Sequence, residues 1–218
     1  MNASQDLTRN QLQALGTALV CDVLDSLHVR KSFLGPEIRS TWACPPVAGI
    51  AYTISCEPAG RTEHGPYGVL FEALGEQRDN TILVISAGDQ ISGVWGELLS
   101  VAARARGVSA VVMNGLTRDV TGISALKFPV FATGTSPLDS AGRQDFTATQ
   151  IPLSIGGVAV NPGDWVVADD LGVAIIPAEF VDKVIELGIE KMRGESTVKS
   201  ELESGSDLGE VFRRHGIL

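Results

Sequence analysis

The chain has 218 residues, 44% hydrophobic and 20% charged, which suits one well-buried domain or at most two small ones. With 26 Asp and Glu against 17 Lys and Arg its formal net charge is −9, which argues against a nucleic-acid partner because phosphate neutralisation needs clustered cations. No run approaches the roughly 18 apolar residues of a membrane span, and the start Met1-Asn2-Ala3-Ser4-Gln5-Asp6 is no signal peptide, so a soluble cytoplasmic protein with no membrane partner is expected.

From about Thr8 to Leu27, Leu12, Leu15, Val20, Val23, Leu24 and Leu27 recur at helical spacing. A turn-rich stretch with Gly35, Pro36, Pro45 and Pro46 follows, then a β-like segment from Val47 to Ser55 and a short helix from Gly68 to Leu74. Thr81-Ile82-Leu83-Val84-Ile85 is an apolar run closed by Ala87-Gly88-Asp89, the pattern of a strand buried on both faces. Val94 to Arg106 predicts a helix stopped by Gly107, and Ala110 to Met113 a second buried strand. A short helix near Val120 to Lys127 and a strand from Val130 to Thr133 complete a β-helix-β-helix-β series, which implies parallel strands and right-handed crossovers. Strands without helices follow at Gly157 to Val160, Trp165 to Asp169 and Val173 to Ile176. A helix from Ala178 to about Met192 opens a charged C-terminal helical segment, about 178–218. With no linker and no repeat, residues 1–218 read as a single α/β domain.

The cysteines Cys21, Cys44 and Cys56 have no metal-binding or paired spacing and read as free, buried thiols. The histidines His28, His64 and His215 have no ligand-like spacing either. Adjacent Asp169 and Asp170 read as turn residues that bond nearby backbone. Trp42, Trp95 and Trp165 read as core or interface anchors, with Trp95 also placed to wall a pocket.

The candidate site runs from Gly96 to Asp119. Gly96-Glu97-Leu98-Leu99 opens a helix, where leading N–H groups lack intrahelical partners and face the positive end of the dipole. That start can dock a carboxylate, or it is an ordinary helix start with Glu97 in its first turn. Arg118 follows a buried strand in a loop, where it can grip a carboxylate with two hydrogen bonds or simply pair with a surface acid. Asp119 suits a hard metal ion and suits equally the N-cap of the helix that begins at Val120.

Several segments resemble one family in order along the chain: Asp22-Val23-Leu24-Asp25, Gly49 to Thr53, Gly96-Glu97-Leu98-Leu99, Arg104-Ala105-Arg106-Gly107, Asn114 to Asp119, Gly134-Thr135-Ser136-Pro137, Pro162-Gly163-Asp164 and Ala168 to Val173. The chain is similar to the family that joins the 4-hydroxy-4-methyl-2-oxoglutarate / 4-carboxy-4-hydroxy-2-oxoadipate aldolases with the regulator of ribonuclease E activity A. The resemblance implies a layered β/β/α fold of the swivelling-domain type around a parallel βαβ core. It implies a class II aldolase that needs Mg²⁺, Mn²⁺ or another divalent cation and cleaves a 4-hydroxy-2-oxo-diacid to pyruvate and a second oxo-acid. Oxaloacetate decarboxylation would accompany it, since both reactions pass through the pyruvate enolate.

In that reading Asp119 is the metal ligand, and Glu97 hydrogen-bonds a water on the metal that takes the C4 hydroxyl proton. Gly96, Glu97, Leu98, Leu99 and Arg118 bind substrate, and Arg118 also steadies the enolate. An acid from a neighbouring subunit, here Glu195, completes the catalytic set, which makes the protein a homotrimer or homohexamer with sites at subunit interfaces. Two features depart from the aldolase pattern: His64 to Glu72 lacks an Asp-Asn pair, and Asn114 stands where an acid is common. The alternative is a non-catalytic protein that binds and regulates a ribonuclease. A methyltransferase is not supported, because no G-x-G-x-x-G loop follows an early strand.

Overall fold

The computed structural model describes residues 3–60, 65, 67–77 and 79–217, so His64 lies outside the described residues. The amphipathic first segment forms α1 (Ala3–Ser26), burying Leu12, Leu15, Val20, Val23 and Leu24. The predicted continuous helix is broken at Gly16, whose φ of 70° and ψ of 174° lie outside helical space. Asp169 holds the break from across the chain, accepting from the Thr17 N–H at 2.8 Å and the Thr17 hydroxyl at 2.6 Å. It thereby caps the second half of the helix. Asp169 also accepts from the Leu171 N–H at 3.0 Å, the local turn bond expected of it.

After α1 come β1 (Arg39–Ser40), β2 (Val47–Pro58), α2 (Gly68–Glu76) and β3 (Thr81–Ser86). The alternating region then unfolds as β4 (Gly93–Trp95), α3 (Glu97–Ala105), β5 (Val108–Met113), β6 (Leu116–Thr117), α4 (Val120–Ala125), β7 (Val130–Ala132) and β8 (Gly134–Thr135). The helix expected from Val94 therefore begins later. Val94 and Trp95, β-branched and aromatic, are buried in a short strand instead. The remaining strands are β9 (Gln144–Thr149), β10 (Leu153–Ile155), β11 (Val158–Val160), β12 (Trp165–Asp169) and β13 (Gly172–Ile176). A 3₁₀ turn at Ala178–Phe180 leads into α5 (Val181–Glu203), which runs well past Met192, and α6 (Leu208–His215).

The main sheet has eight strands in the order β1-β7-β5-β3-β2-β12-β13, with β9 also paired to β2. The β2–β3, β3–β5 and β5–β7 pairs are parallel, as helix crossovers require, while β12 is antiparallel to both β2 and β13. Leu83, Ile85, Val111 and Met113 face one core with Leu70, Ala73, Ala103 and Ile123 of the helices. Their neighbours Ile82, Val84, Ala110 and Val112 face another core with Leu153, Ile155, Val158 and Val160 of the β10–β11 hairpin. Hairpin, sheet and helices thus stack as β/β/α in one domain, and burial on both faces is why these strands read as unbroken apolar runs. A third core packs α1 and α5 against β12 and β13.

The cysteines are free; Cys56 is buried, which pushes its thiol up, and Cys21 and Cys44 are half-buried. Among the described residues, no helix is long and apolar enough to cross a membrane.

Candidate active site

The loops after β3, β5 and β7 carry β4, β6 and β8, which pair in parallel as a small second sheet. This stacks three connecting loops at the carboxyl ends of three parallel strands, the usual ligand position in open α/β sheets. Asn114 fixes the β5 loop to the β3 loop, its side-chain oxygen accepting from the Ala87 N–H at 2.8 Å. The residue that departs from the acid of the aldolase pattern therefore has a structural task. The Arg118 N–H donates to the Trp95 carbonyl at 2.8 Å, and the Ser136 N–H to the Thr117 carbonyl at 2.9 Å.

These bonds bring Arg118 and Asp119 beside the start of α3. Both line a cleft of about 480 Å³ together with Gly96, Leu98 and Leu99. The stem of Arg118 crosses Gly93 so closely that a Cβ there would collide with it. Its guanidinium pairs with Asp139, which also lines the cleft. Asp139 in turn accepts from the Ala141 N–H at 2.8 Å and the Tyr67 hydroxyl at 3.1 Å. The Ala141 N–H foremost holds the Asp139 carboxyl below the usual carboxylate range; burial opposes it as the next-largest influence, and the Tyr67 hydroxyl and the Arg118 guanidinium add to the lowering. Burial, together with the bond to Asp139, pushes the Tyr67 phenol up.

Asp119 occupies the N-cap position of α4, yet its side chain makes no cap hydrogen bond there. The residue is left-handed, with φ 54° and ψ 37°, a conformation that Asp and Asn adopt more readily than other residues with a side chain. Its carboxylate turns instead to α3 and accepts from the Glu97 N–H at 3.3 Å. The capping alternative is thus not the one the chain adopts. Arg118 and Asp119 also line a second hollow of about 510 Å³ with Thr117, Val120, Thr135, Ser136 and Pro137.

Glu97 is exposed, and its carboxylate lies over Gly122 of α4, so closely that a Cβ at that position would overlap it. It stands next to the Asp119 region rather than in the cleft wall. Trp95 is buried, lines the cleft and donates from its indole N–H to the Ser100 hydroxyl at 2.9 Å. Glu195 is elsewhere in the same chain. It lines an apolar groove of about 800 Å³ with Met192, Val198, Leu202 and Ile217, and that groove shares no lining residue with the cleft.

Among the described residues no three His, Cys, Asp or Glu side chains converge into a cage for a metal. The donor set at Asp119, one exposed carboxylate facing a roomy hollow, nonetheless fits a hard divalent cation that keeps most of its water. Asp139 and Tyr67 were not among the residues singled out from sequence. One signal was legible: Asp139 follows Gly134-Thr135-Ser136-Pro137 in the loop after the third parallel strand.

The parallel core with loop-borne Arg118 and Asp119 defines an α/β protein with a cleft at its strand ends. The chain belongs to the RraA-like family (Aldolase/RraA), whose model matches residues 17–175. It is 32% identical over 211 residues to Protein DlpA of Legionella pneumophila, an alignment that covers 93% of this chain but only 33% of that longer protein. It is 28% identical over 177 residues to a Halalkalibacterium halodurans protein named "Putative 4-hydroxy-4-methyl-2-oxoglutarate aldolase", covering 81% of this chain and 79% of that one. Among solved structures it resembles Streptomyces coelicolor RraAS2, described as an unusual member of the RNase ES inhibitor RraA protein family. The TM-score is 0.80 at 27% identity, over 88% of this chain and 96% of that one.

Proposed function

We propose that this chain is a divalent-metal-dependent aldolase that cleaves a 4-hydroxy-2-oxo acid to pyruvate and a second oxo compound. The carrying observation is that Arg118, Asp119 and the α3 start at Gly96, Leu98 and Leu99 line one cleft. In this reading the substrate carboxylate docks on the free amides of Leu98 and Leu99 and on the Arg118 guanidinium. Arg118 also faces the 2-oxo oxygen, where negative charge develops as the C3–C4 bond breaks. Asp119 holds Mg²⁺, Mn²⁺ or a similar cation, which supplies Lewis-acid polarisation of the 2-oxo group. Glu97 takes the C4 hydroxyl proton through one water, and Glu195 from a neighbouring copy completes the acid–base set. Oxaloacetate decarboxylation is expected from the same enolate-stabilising groups.

A homotrimer or homohexamer with sites at its interfaces is part of the proposal. Its support is the apolar rim: Phe71, Ile91, Leu98, Val101 and Leu138 are exposed, Leu98 by 84%. We place the activity in the cytoplasm. The same rim also supports the second reading, a non-catalytic regulator that binds a ribonuclease.

The assay is pyruvate release from 4-hydroxy-2-oxo acids, coupled to lactate dehydrogenase, with Mg²⁺ and with a strong chelator. Turnover that the chelator abolishes is expected. Silence across mono- and diacids favours the regulator, and full activity in chelator overturns the metal's role.

A further inference from the structure

Arg118 is held at both ends of its side chain. The stem has room to cross β4 only because Gly93 carries no Cβ. The tip pairs through Nη1 with Oδ2 of Asp139, in the loop after β8. That loop is tied to the same strand: the Gly93 N–H donates to the Leu138 carbonyl at 2.9 Å, and Gly93 and Asp139 form an isolated parallel bridge.

The Asp139 carboxylate is fixed in its turn. Its other oxygen, Oδ1, accepts from the Ala141 N–H at 2.8 Å and from the Tyr67 hydroxyl at 3.1 Å. Tyr67 stands at the N-cap of α2, its ring stacked on Phe71 with centroids 6.0 Å apart and tilted against Phe146 at 6.2 Å. A continuous set of contacts therefore runs from the start of α2 through Tyr67 and Asp139 to the guanidinium.

A carboxylate in this place can either aim Arg118 or stand in for the substrate. The geometry favours aiming. A guanidinium is a planar fork of five N–H donors, and pairing through Nη1 leaves the edge formed by Nε and Nη2 for two bonds to another carboxylate. A carboxylate pinned by a backbone N–H and a phenol is also poorly placed to withdraw when substrate arrives. Ordering a long side chain as the ligand binds costs affinity, and ordering it beforehand removes that cost.

We propose that Asp139 and Tyr67 are positioning residues that aim the Arg118 guanidinium before substrate binds. This rests on the aldolase reading, in which Arg118 grips the substrate carboxylate and faces the 2-oxo oxygen. Neither residue takes part in the bond changes. Asp139 acts through Arg118, and Tyr67 acts through Asp139.

The test is calorimetric titration of the full chain with oxalate in Mn²⁺, beside kcat and KM for pyruvate release. Asp139→Asn and Asp139→Ala remove the same charge, but only asparagine keeps an acceptor for the guanidinium and the Ala141 N–H. Oxalate should bind the asparagine variant about 2- to 10-fold tighter than the alanine variant, the range for ordering one long side chain. The kcat of the asparagine variant should likewise exceed that of the alanine variant. Tyr67→Phe keeps the stacked ring and changes no charge at neutral pH. It should weaken oxalate binding in the otherwise unsubstituted protein and leave it unmoved in the Asp139→Ala background, because its route to Arg118 runs through Asp139. A merely structural role would give Tyr67→Phe the same cost in both backgrounds.

Equal oxalate affinity of the asparagine and alanine variants, or tighter binding by alanine as a stand-in role requires, overturns the proposal. So does an equal cost of Tyr67→Phe in both backgrounds, or no oxalate binding by the unsubstituted protein. The expected oxalate pattern without pyruvate release from any 4-hydroxy-2-oxo acid supports the aiming of Arg118 and overturns the aldolase reading alone.

Discussion

Gly96 leaves the space through which the Asp119 carboxylate reaches the start of α3: a Cβ at Gly96 would sit 2.8 Å from Asp119 Oδ2. The backbone of Gly96 is extended, with φ −161°, so conformation does not demand glycine there. The close approach does. The Asp119 carboxylate and the start of α3 are thereby drawn onto one patch of backbone.

Gly96→Ala should displace the Asp119 carboxylate without unfolding the protein. Metal affinity is expected to fall by about 10- to 100-fold, the range for disturbing the support of a metal ligand. Titration calorimetry with Mn²⁺, beside circular dichroism to verify the fold, measures this.

Arg118→Lys should fail nearly as badly as Arg118→Ala, because an ammonium lacks the planar fork that grips a carboxylate. Loss of kcat by roughly 10²–10³-fold is expected, as for other donors aimed at developing oxyanions. Melting temperatures should hardly change, since the Arg118–Asp139 pair is substantially exposed and such pairs contribute little stability. Steady-state kinetics with a thermal melt separates the two effects.

Asp119→Asn should keep the left-handed turn, since asparagine tolerates αL, and yet lose the divalent-metal dependence together with turnover. Asp119→Val, β-branched at φ 54°, should additionally destabilise the fold by about 1–2 kcal/mol. Denaturant midpoints of the two variants distinguish charge from strain.

The ionised Asp139 contributes stability that is present above the ordinary carboxylate range and is lost only as pH falls through its depressed folded value. The Arg118–Asp139 pair therefore persists across neutral and mildly acidic pH. An acid limb of kcat/KM between about pH 5 and 7 belongs to another group, and Asp139→Asn should leave its position unmoved. A pH–rate profile of both proteins checks this.

Asp169→Ala should cost about 2–3 kcal/mol, since two hydrogen bonds from Thr17 at the α1 break lose a buried acceptor. The cleft lies elsewhere, so activity at low temperature should survive. Urea denaturation alongside the pyruvate assay gives both quantities.

Much of this architecture is written in local sequence. Ile82 to Ile85 and Ala110 to Met113 are apolar without alternation because two cores cover them, and that pattern alone announces buried parallel strands. Arg118 and Asp119 could be singled out because they follow such a strand directly. The break at Gly16 was hidden, because Leu12, Leu15, Val20 and Val23 keep helical spacing across it and its anchor, Asp169, comes from another part of the chain. Asp139 was hidden for the same reason: its meaning depends on Arg118 and Tyr67, which reach it only through the fold. Gln144 and Asp145, polar yet buried in β9, concealed a strand that periodicity would need apolar residues to reveal.

The most direct test is diffraction from crystals grown with Mn²⁺ and oxalate, a mimic of the pyruvate enolate. The account predicts an anomalous peak at the Asp119 carboxylate, with oxalate held by the Arg118 guanidinium and the amides of Leu98 and Leu99. Oxalate bound away from α3, or a metal peak with no contact to Asp119, would contradict it.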